Sequence, residues 1–193
     1  MNNRAVFLDR DGTLNKDAGY PGDFGQVEIY PGSYEAVKMI NEAGLLAVVV
    51  SNQSGVGRGL FGEAQVEAIH REMGAAFAAR GARIDAFYFC PHFEGSADPR
   101  YALACACRKP QPGLALRAAA DLGLDLARSY MVGDKPDDIV FARNIGASPV
   151  LVLTGQGRSA RRRLRIAGIE PDHVSAGVLS AARWIVGREG GRR

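Results

Sequence analysis

Residues 45–50 read LLAVVV, six apolar residues with no polar alternation. A strand with one wet face alternates apolar and polar side chains. An unbroken run needs cover on both faces, which means helices above and below a parallel sheet. The rest of the chain supplies both partners. Short apolar runs at Ala5–Leu8, 84–89, 130–132 and 150–153 alternate with stretches of helical period. The first stretch is 33–43, with Ser33 a candidate N-cap and Gly44 a stop. In the second, 63–80, Val66, Ile69, Met73 and Phe77 recur at steps of three and four. Then come 112–122, with Pro112 at its start and Gly123 at its end, 136–145, and two closing helices near 159–167 and 176–186. Residues 90–111 are irregular and long enough to need a staple of their own. The expectation is an α/β fold, a parallel sheet with helices on both faces in one domain over residues 1–193. Such sheets bind ligands beyond the carboxyl ends of their strands.

Bulk properties exclude several classes. A hydrophobic content of 47% with 23% charged residues is that of a globular protein, and 193 residues suffice for a real core. The net charge of +3 is mild and owes much to late arginines, so it does not by itself imply a nucleic-acid partner. No stretch approaches the roughly 18 apolar residues of a membrane span, and the N-terminus lacks the apolar segment of a signal peptide. The expected location is the cytoplasm. All three cysteines, Cys90, Cys105 and Cys107, fall within one 18-residue window. An odd, clustered set suggests a metal site in a reducing compartment, not a disulfide framework.

The polar signatures follow the strands. The first strand ends in Asp9 and Asp11, two like charges two residues apart. Folding alone gives no reason to bring them together. The second ends in Ser51, Asn52, Gln53 and Ser54, and a later one in Gly133, Asp134 and Lys135; Arg108 and Lys109 precede the helix leading to it. In a parallel sheet these groups meet along one edge. Clustered carboxylates suit Mg²⁺, a hard cation with oxygen ligands, while lysine, hydroxyl and N–H groups suit phosphate oxygens. Each motif alone reads equally as a turn or helix cap; their order and common placement favour chemistry. Residues 57–62, GRGLFG, match the glycine pattern of dinucleotide sites but start six residues too late after their strand, and Asp85 begins the next strand where that motif needs an acid at its end. Cys90, His92, Cys105 and Cys107 offer three thiolates and an imidazole, a sufficient set for tetrahedral zinc. Their spacing is not the commonest one for a zinc knuckle and leaves the metal open. His70 and His173 have no such company and read as ordinary helix or surface histidines.

These residues resemble the haloacid dehalogenase (HAD) superfamily of phosphatases. Asp9 to Thr13, Ser51, Lys109 and Gly133-Asp134 look like its four motifs. The match is closer still: FLDRDGTLN, SNQSGVGRG, CPH, CACRKPQPG and YMVGDKPDD together resemble the heptose bisphosphate phosphatases, over roughly residues 4 to 186. The resemblance implies a Rossmann-like fold without a large cap domain, with a zinc-stapled loop. It implies removal of the C7 phosphate from D-glycero-D-manno-heptose 1,7-bisphosphate, in lipopolysaccharide or nucleotide-heptose biosynthesis. It makes Asp9 the nucleophile and Asp11 the acid and base, with Ser51 and Lys109 stabilising the transferring phosphoryl group. Mg²⁺ is assigned to Asp9, Asp11, Asp134 and the Lys135 backbone, and a structural Zn²⁺ to Cys90, His92, Cys105 and Cys107. Substrate contacts fall on Asp17, Ala18, Gly19, Tyr20, Ser51, Asn52, Gln53, Ser54, Arg108, Lys109 and Lys135. Pro21 stands where many relatives have valine.

Two rivals remain. Histidinol-phosphate phosphatases share the motifs and the zinc, but tend to have a shorter zinc loop than the twelve residues between His92 and Cys105, and Asn-Gln-Asp-Gly where this chain has Asn-Gln-Ser-Gly. From another class, Arg158, Arg161, Arg162, Arg163 and Arg165 could bind nucleic acid. Interleaved with Leu164 and Ile166 and without an aromatic platform, they read better as the solvated face of a helix. The expected partner is a small sugar phosphate, with no nucleic acid and no membrane, and the protein is expected to act as a monomer.

Overall fold

The structure, a computed structural model, describes residues 3–191. Six strands form one parallel sheet: β1 (Ala5–Leu8), β2 (Leu46–Asn52), β3 (Ala86–Cys90), β4 (Tyr130–Gly133), β5 (Ser148–Val152) and β6 (His173–Ser175), in the order β3-β2-β1-β4-β5-β6. The helices are α1 (Gly32–Glu42), the single turn α2 (Ser54–Gly57), α3 (Glu63–Ala78), α4 (Gly113–Leu122), α5 (Pro136–Asn144), α6 (Gly157–Ile166) and α7 (Val178–Gly190).

The two-sided burial of the apolar strands follows from the pleat. Val6 and Leu8 of β1 and Ala47 and Val49 of β2 enter one core with α1, α3 and α7. Their neighbours Ala5, Phe7, Val48 and Val50 enter a second core with α4 and α5 on the opposite face. Each large apolar side chain buried this way contributes about 1.5–3 kcal/mol. A third, smaller cluster of Ile139, Leu151, Ala160 and Leu164 seats α6. Loops and short turns occupy 9–31 and 91–112, and no cap domain is inserted among the described residues.

Strand order reverses direction at β1 and β4, where Leu8 lies level with Val49 on one side and Val132 on the other. Loops leaving the sheet diverge there and open a crevice. Asp9 is the first residue past that point.

Several expected bounds shift. Ser33 does not cap α1; Pro31 holds that position, and the Ser33 hydroxyl donates to the Leu14 carbonyl at 2.7 Å, fastening the helix to the loop after β1. β3 starts at Ala86 because Asp85 is used beforehand, accepting the Ala47 N–H on β2 at 2.8 Å. α2 and β6 went unforeseen, being four and three residues long, too short to show a period. His173 lies in β6, not on a helix, and stacks on Trp184 at 4.5 Å. Among the described residues no helix is long and apolar enough to cross a membrane.

Candidate active site and metal centre

Asp9 is 3% exposed, and its backbone N–H still donates to β4, to the Val132 carbonyl at 2.9 Å. The Lys109 ammonium, equally buried, spends its three protons on Asp9 Oδ1 at 2.8 Å, the Val50 carbonyl at 2.8 Å and Asp138 Oδ1 at 2.7 Å. Lys135 Nζ lies 3.4 Å from Asp9 Oδ2 and donates to the Asp11 carbonyl at 2.9 Å. Burial works against an ionised Asp9, but Lys109 and Lys135 outweigh it and bring its pKa down to about 2. Burial works against the charge of both lysines too, but the surrounding carboxylates outweigh it and push their pKa values up. The aspartate is therefore a committed anion between two committed cations.

Asp134 is different. Burial and the nearby Asp9 charge push its carboxyl up to about 7. Its Oδ2 accepts the Gln156 N–H at 2.7 Å, whereas its Oδ1 is buried with no hydrogen-bond partner among the described residues. Carboxylate oxygens of Asp9, Asp134 and Asp138 lie within 4.8 Å of one another. Close packing makes this possible: a Cβ on Gly12, which has φ +94°, would meet Asp134 at 2.3 Å, and one on Gly133 would meet Asp138 at 2.2 Å. Crowded buried acids, one carrying an orphan oxygen, fit a hard divalent cation.

Asp11 occupies other surroundings. Its carboxylate accepts Arg10 Nε at 3.1 Å, Arg10 NH2 at 2.9 Å, Asn15 Nδ2 at 2.9 Å and Gln53 Nε2 at 2.9 Å. Gln53 Nε2 also donates to Ser51 Oγ at 2.5 Å, so one amide joins the ends of β1 and β2. The two acids of the first motif thus sit in separate electrostatic environments, as two different tasks require.

The second cluster lies past β3. Cys107 Sγ stands 3.2 Å from Cys90 Sγ, 3.3 Å from Cys105 Sγ and 3.2 Å from His92 Nδ1; Cys90 Sγ is 3.4 Å from His92 Nδ1 and 3.5 Å from Cys105 Sγ. Hydrogen bonds from Cys90 and Cys105 draw the Cys107 thiol down to about 5, while Cys107 and burial push Cys90 up. Four soft or borderline donors, one of them a ready thiolate, fit zinc.

Comparison with known proteins agrees with this geometry. Residues 106–181 match the HAD-hydrolase-like family model. The chain is 43% identical over 154 residues to the D-glycero-beta-D-manno-heptose-1,7-bisphosphate 7-phosphatase of Yersinia pestis, covering 79% of this chain and 81% of that one. It is 40% identical over 185 residues to the D-glycero-D-manno-heptose-1,7-bisphosphate 7-phosphatase of Thermosynechococcus vestitus, covering 94% of each. A solved D,D-heptose 1,7-bisphosphate phosphatase from B. bronchiseptica, complexed with magnesium and phosphate, superposes with a TM-score of 0.83 at 34% identity, covering 96% of this chain and 99% of that one. This chain belongs to the HAD-like heptose 1,7-bisphosphate 7-phosphatase family.

As a member of that family it is a phosphoric monoester hydrolase. Asn52 exchanges two 3.0 Å hydrogen bonds with the Lys109 backbone and so ties the exit of the cysteine loop to β2. Arg108 NH1 donates to the His92 carbonyl at 3.2 Å. The loop carrying Asp17, Ala18, Gly19 and Tyr20 is exposed, with Asp17 Oδ2 3.9 Å from Lys135 Nζ. Ser54 begins α2. At the start of α5 the Lys135 N–H donates to Asp138 Oδ2 at 3.0 Å and its carbonyl accepts the Asp138 N–H at 3.1 Å, while its Nζ lies 3.4 Å from Asp9 Oδ2.

Two residues escaped the sequence reading, and a third was read only as an ordinary histidine. Asp138 was hidden as the second acid of an acidic helix start, which normally reads as capping. Arg58 has its guanidinium 3.8 Å over the Phe93 ring and 5.7 Å from the Tyr20 ring, linking the cysteine loop to the loop after β1. His70 is on a helix as expected but is buried, not on the surface. Among the arginines of α6, Arg158, Arg161, Arg162 and Arg165 line a groove of about 630 Å³ beside β6, whereas Arg163 shares a different pocket with Lys135 and Gln156.

Proposed function

We propose that this protein removes the C7 phosphate of D-glycero-D-manno-heptose 1,7-bisphosphate through an aspartyl-phosphate on Asp9, leaving heptose 1-phosphate. The observation that carries this reading is the contrast between Asp9 and Asp11: one is an anion pinned between two lysines, the other a carboxylate held separately by Arg10, Asn15 and Gln53. The Asp9 carboxylate attacks phosphorus, and the bond from phosphorus to the C7 oxygen breaks. Asp11 gives its proton to that departing oxygen, then takes one from the water that cleaves the acyl phosphate. Lys109, Lys135 and Ser51 stabilise charge on the phosphoryl oxygens. Asp9, Asp134 and the Asp11 carbonyl would hold Mg²⁺, which when bound supplies neutralisation of phosphate charge.

Substrate choice rests on the rim. Arg108, with Asn52, Gln53, Ser54 and the 17–20 loop, binds the sugar and its distal phosphate. Cys90, His92, Cys105 and Cys107 hold a structural Zn²⁺ that keeps Arg108 in position. One continuous sheet supports reading the chain as a single catalytic domain. The test has two parts. Borohydride reduction of acid-quenched enzyme during turnover should yield homoserine at position 9; an unmodified Asp9 under those conditions would refute the acyl phosphate. Phosphate release from heptose 1,7-bisphosphate and histidinol phosphate should favour the former at matched subsaturating concentrations, and the reverse order would overturn the substrate.

A further inference from the structure

We propose that His70 is a positioning residue that acts through Arg10 to orient the Asp11 carboxyl. This rests on reading Asp11 as the proton donor. His70 lies on the buried face of α3 among Val66, Ile69, Met73 and Phe77, and is 5% exposed. Its ring stacks on Phe87 at 4.7 Å with 17° between planes and meets Phe89 edge-on at 5.7 Å. That packing could be served by any flat side chain. What separates histidine from a filler is that Nε2 lies 3.5 Å from Arg10 NH1.

A guanidinium can only donate. Nε2 must therefore accept, which requires a neutral imidazole with its proton on Nδ1. Burial and the Arg10 charge hold the ring in that state, with a pKa lowered to about 3.

Arg10 is fully buried. Its Nε and NH2 face Asp11, and NH2 also donates to Gln53 Oε1 at 3.0 Å. Its NH1 has His70 as the only hydrogen-bond partner among the described residues. A planar fork gripped on one side by Asp11 and Gln53 can still rock about that side. The contact at NH1 comes from α3, a separate element, and removes this freedom. An unpaired N–H left on a buried cation is costly, so the arginine would turn to seek another acceptor and carry the Asp11 carboxyl with it. The other donors to Asp11, from Asn15 and Gln53, come from the loops after β1 and β2 and do not brace the guanidinium from behind.

A misaligned acid matters only when the leaving group needs a proton. A sugar alkoxide does, whereas 4-nitrophenolate leaves without one. Since kcat/KM covers the steps up to phosphoryl transfer, comparing these two esters isolates the proton donor. His70→Leu is expected to lower kcat/KM about tenfold on heptose 1,7-bisphosphate and less than twofold on 4-nitrophenyl phosphate. His70→Gln, which restores an acceptor oxygen, should recover most of the loss. Equal losses on the two esters, no loss, or failure of Gln to do better than Leu would overturn the proposal. If His70→Leu does not fold, His70→Phe, which keeps a flat ring against Phe87 and offers no acceptor to Arg10, is read in the same way. Asp11→Asn is run alongside. A loss confined to the sugar ester supports Asp11 as donor and leaves the His70 result to decide the proposal. A loss equal on both esters removes the donor reading and this inference with it.

Discussion

The carboxylate cluster at β1 and β4 and the Cys/His cluster beyond β3 both gather anionic donors, but the chain builds them in opposite ways. Asp9 and Asp134 stand within one residue of strands whose register is set by both cores. The sheet holds those acids together whether or not a cation is present, and Lys109 and Lys135 balance part of their charge. The Cys/His cluster joins Cys90, the last residue of β3, to three donors in the irregular 22-residue stretch between β3 and α4. There the donors themselves fasten the loop, with help from Tyr101 on Glu63 at 2.8 Å and from Asn52 on the Lys109 backbone. A rigid scaffold can afford a site for chemistry; an irregular loop needs a site for structure. Losing a donor should therefore remove function without fold in the first region, and local order first in the second.

The largest expected effect sharpens this contrast. Asp9→Asn should lower turnover at least about 10⁴-fold with an unchanged circular dichroism spectrum, because the proposed nucleophile is lost while Lys109 keeps Asp138 and Val50. Retention of a hundredth of wild-type phosphate release would break it.

A pH effect comes next. Asp134 is raised from 3.8 to about 7, so in metal-free protein it holds a proton below pH 7 that a cation must displace. Mg²⁺ affinity measured by calorimetry should rise about tenfold per pH unit from pH 5 to 7, then level off. The sign for stability follows from the same shift. A raised acid favours the metal-free fold at low pH and loses that contribution as pH climbs from about 4 to about 7. A flat affinity profile over this range would remove Asp134 from the cation site.

Cys107→Ser addresses the other region. Wild-type protein should carry about one zinc per chain, and the variant less. Activity should fall roughly ten- to a hundredfold, with new protease cleavage confined to 91–107 and unchanged hydrogen exchange in β1, β2 and β4. Global unfolding would mean that the loop supports the sheet after all.

The smallest effect tests the link between the two regions. Arg108 is held by the His92 carbonyl at 3.2 Å, next in sequence to Lys109. Arg108→Ala should cost about 1.5 kcal/mol in kcat/KM on the bisphosphate, roughly tenfold, and much less on a small generic phosphate ester. Equal losses on both would show that the cysteine loop supports the centre without reading the substrate.

Much of this was legible in the chain because it depends on short-range pattern. The unbroken apolar run at 45–50 dictated a strand covered on both sides, residues such as Asp9 and Asp134 announced themselves at strand ends, and Lys109 stood just ahead of a helix start. Four metal-donor side chains within one irregular stretch were visible as a set, though not the identity of their metal. Tertiary structure decided what depends on distance through space. Asp138 looks like a helix-start acid until Lys109, 29 residues away in sequence, donates to it at 2.7 Å. His70 carries no local signal, because its period marks it only as part of the face of α3 that enters the core; its partner Arg10 lies 60 residues earlier. Sequence periodicity reports which side of an element is buried. Which groups share that buried space is set by strand order and register, and only there does the low dielectric turn proximity into a changed charge state or a fixed geometry.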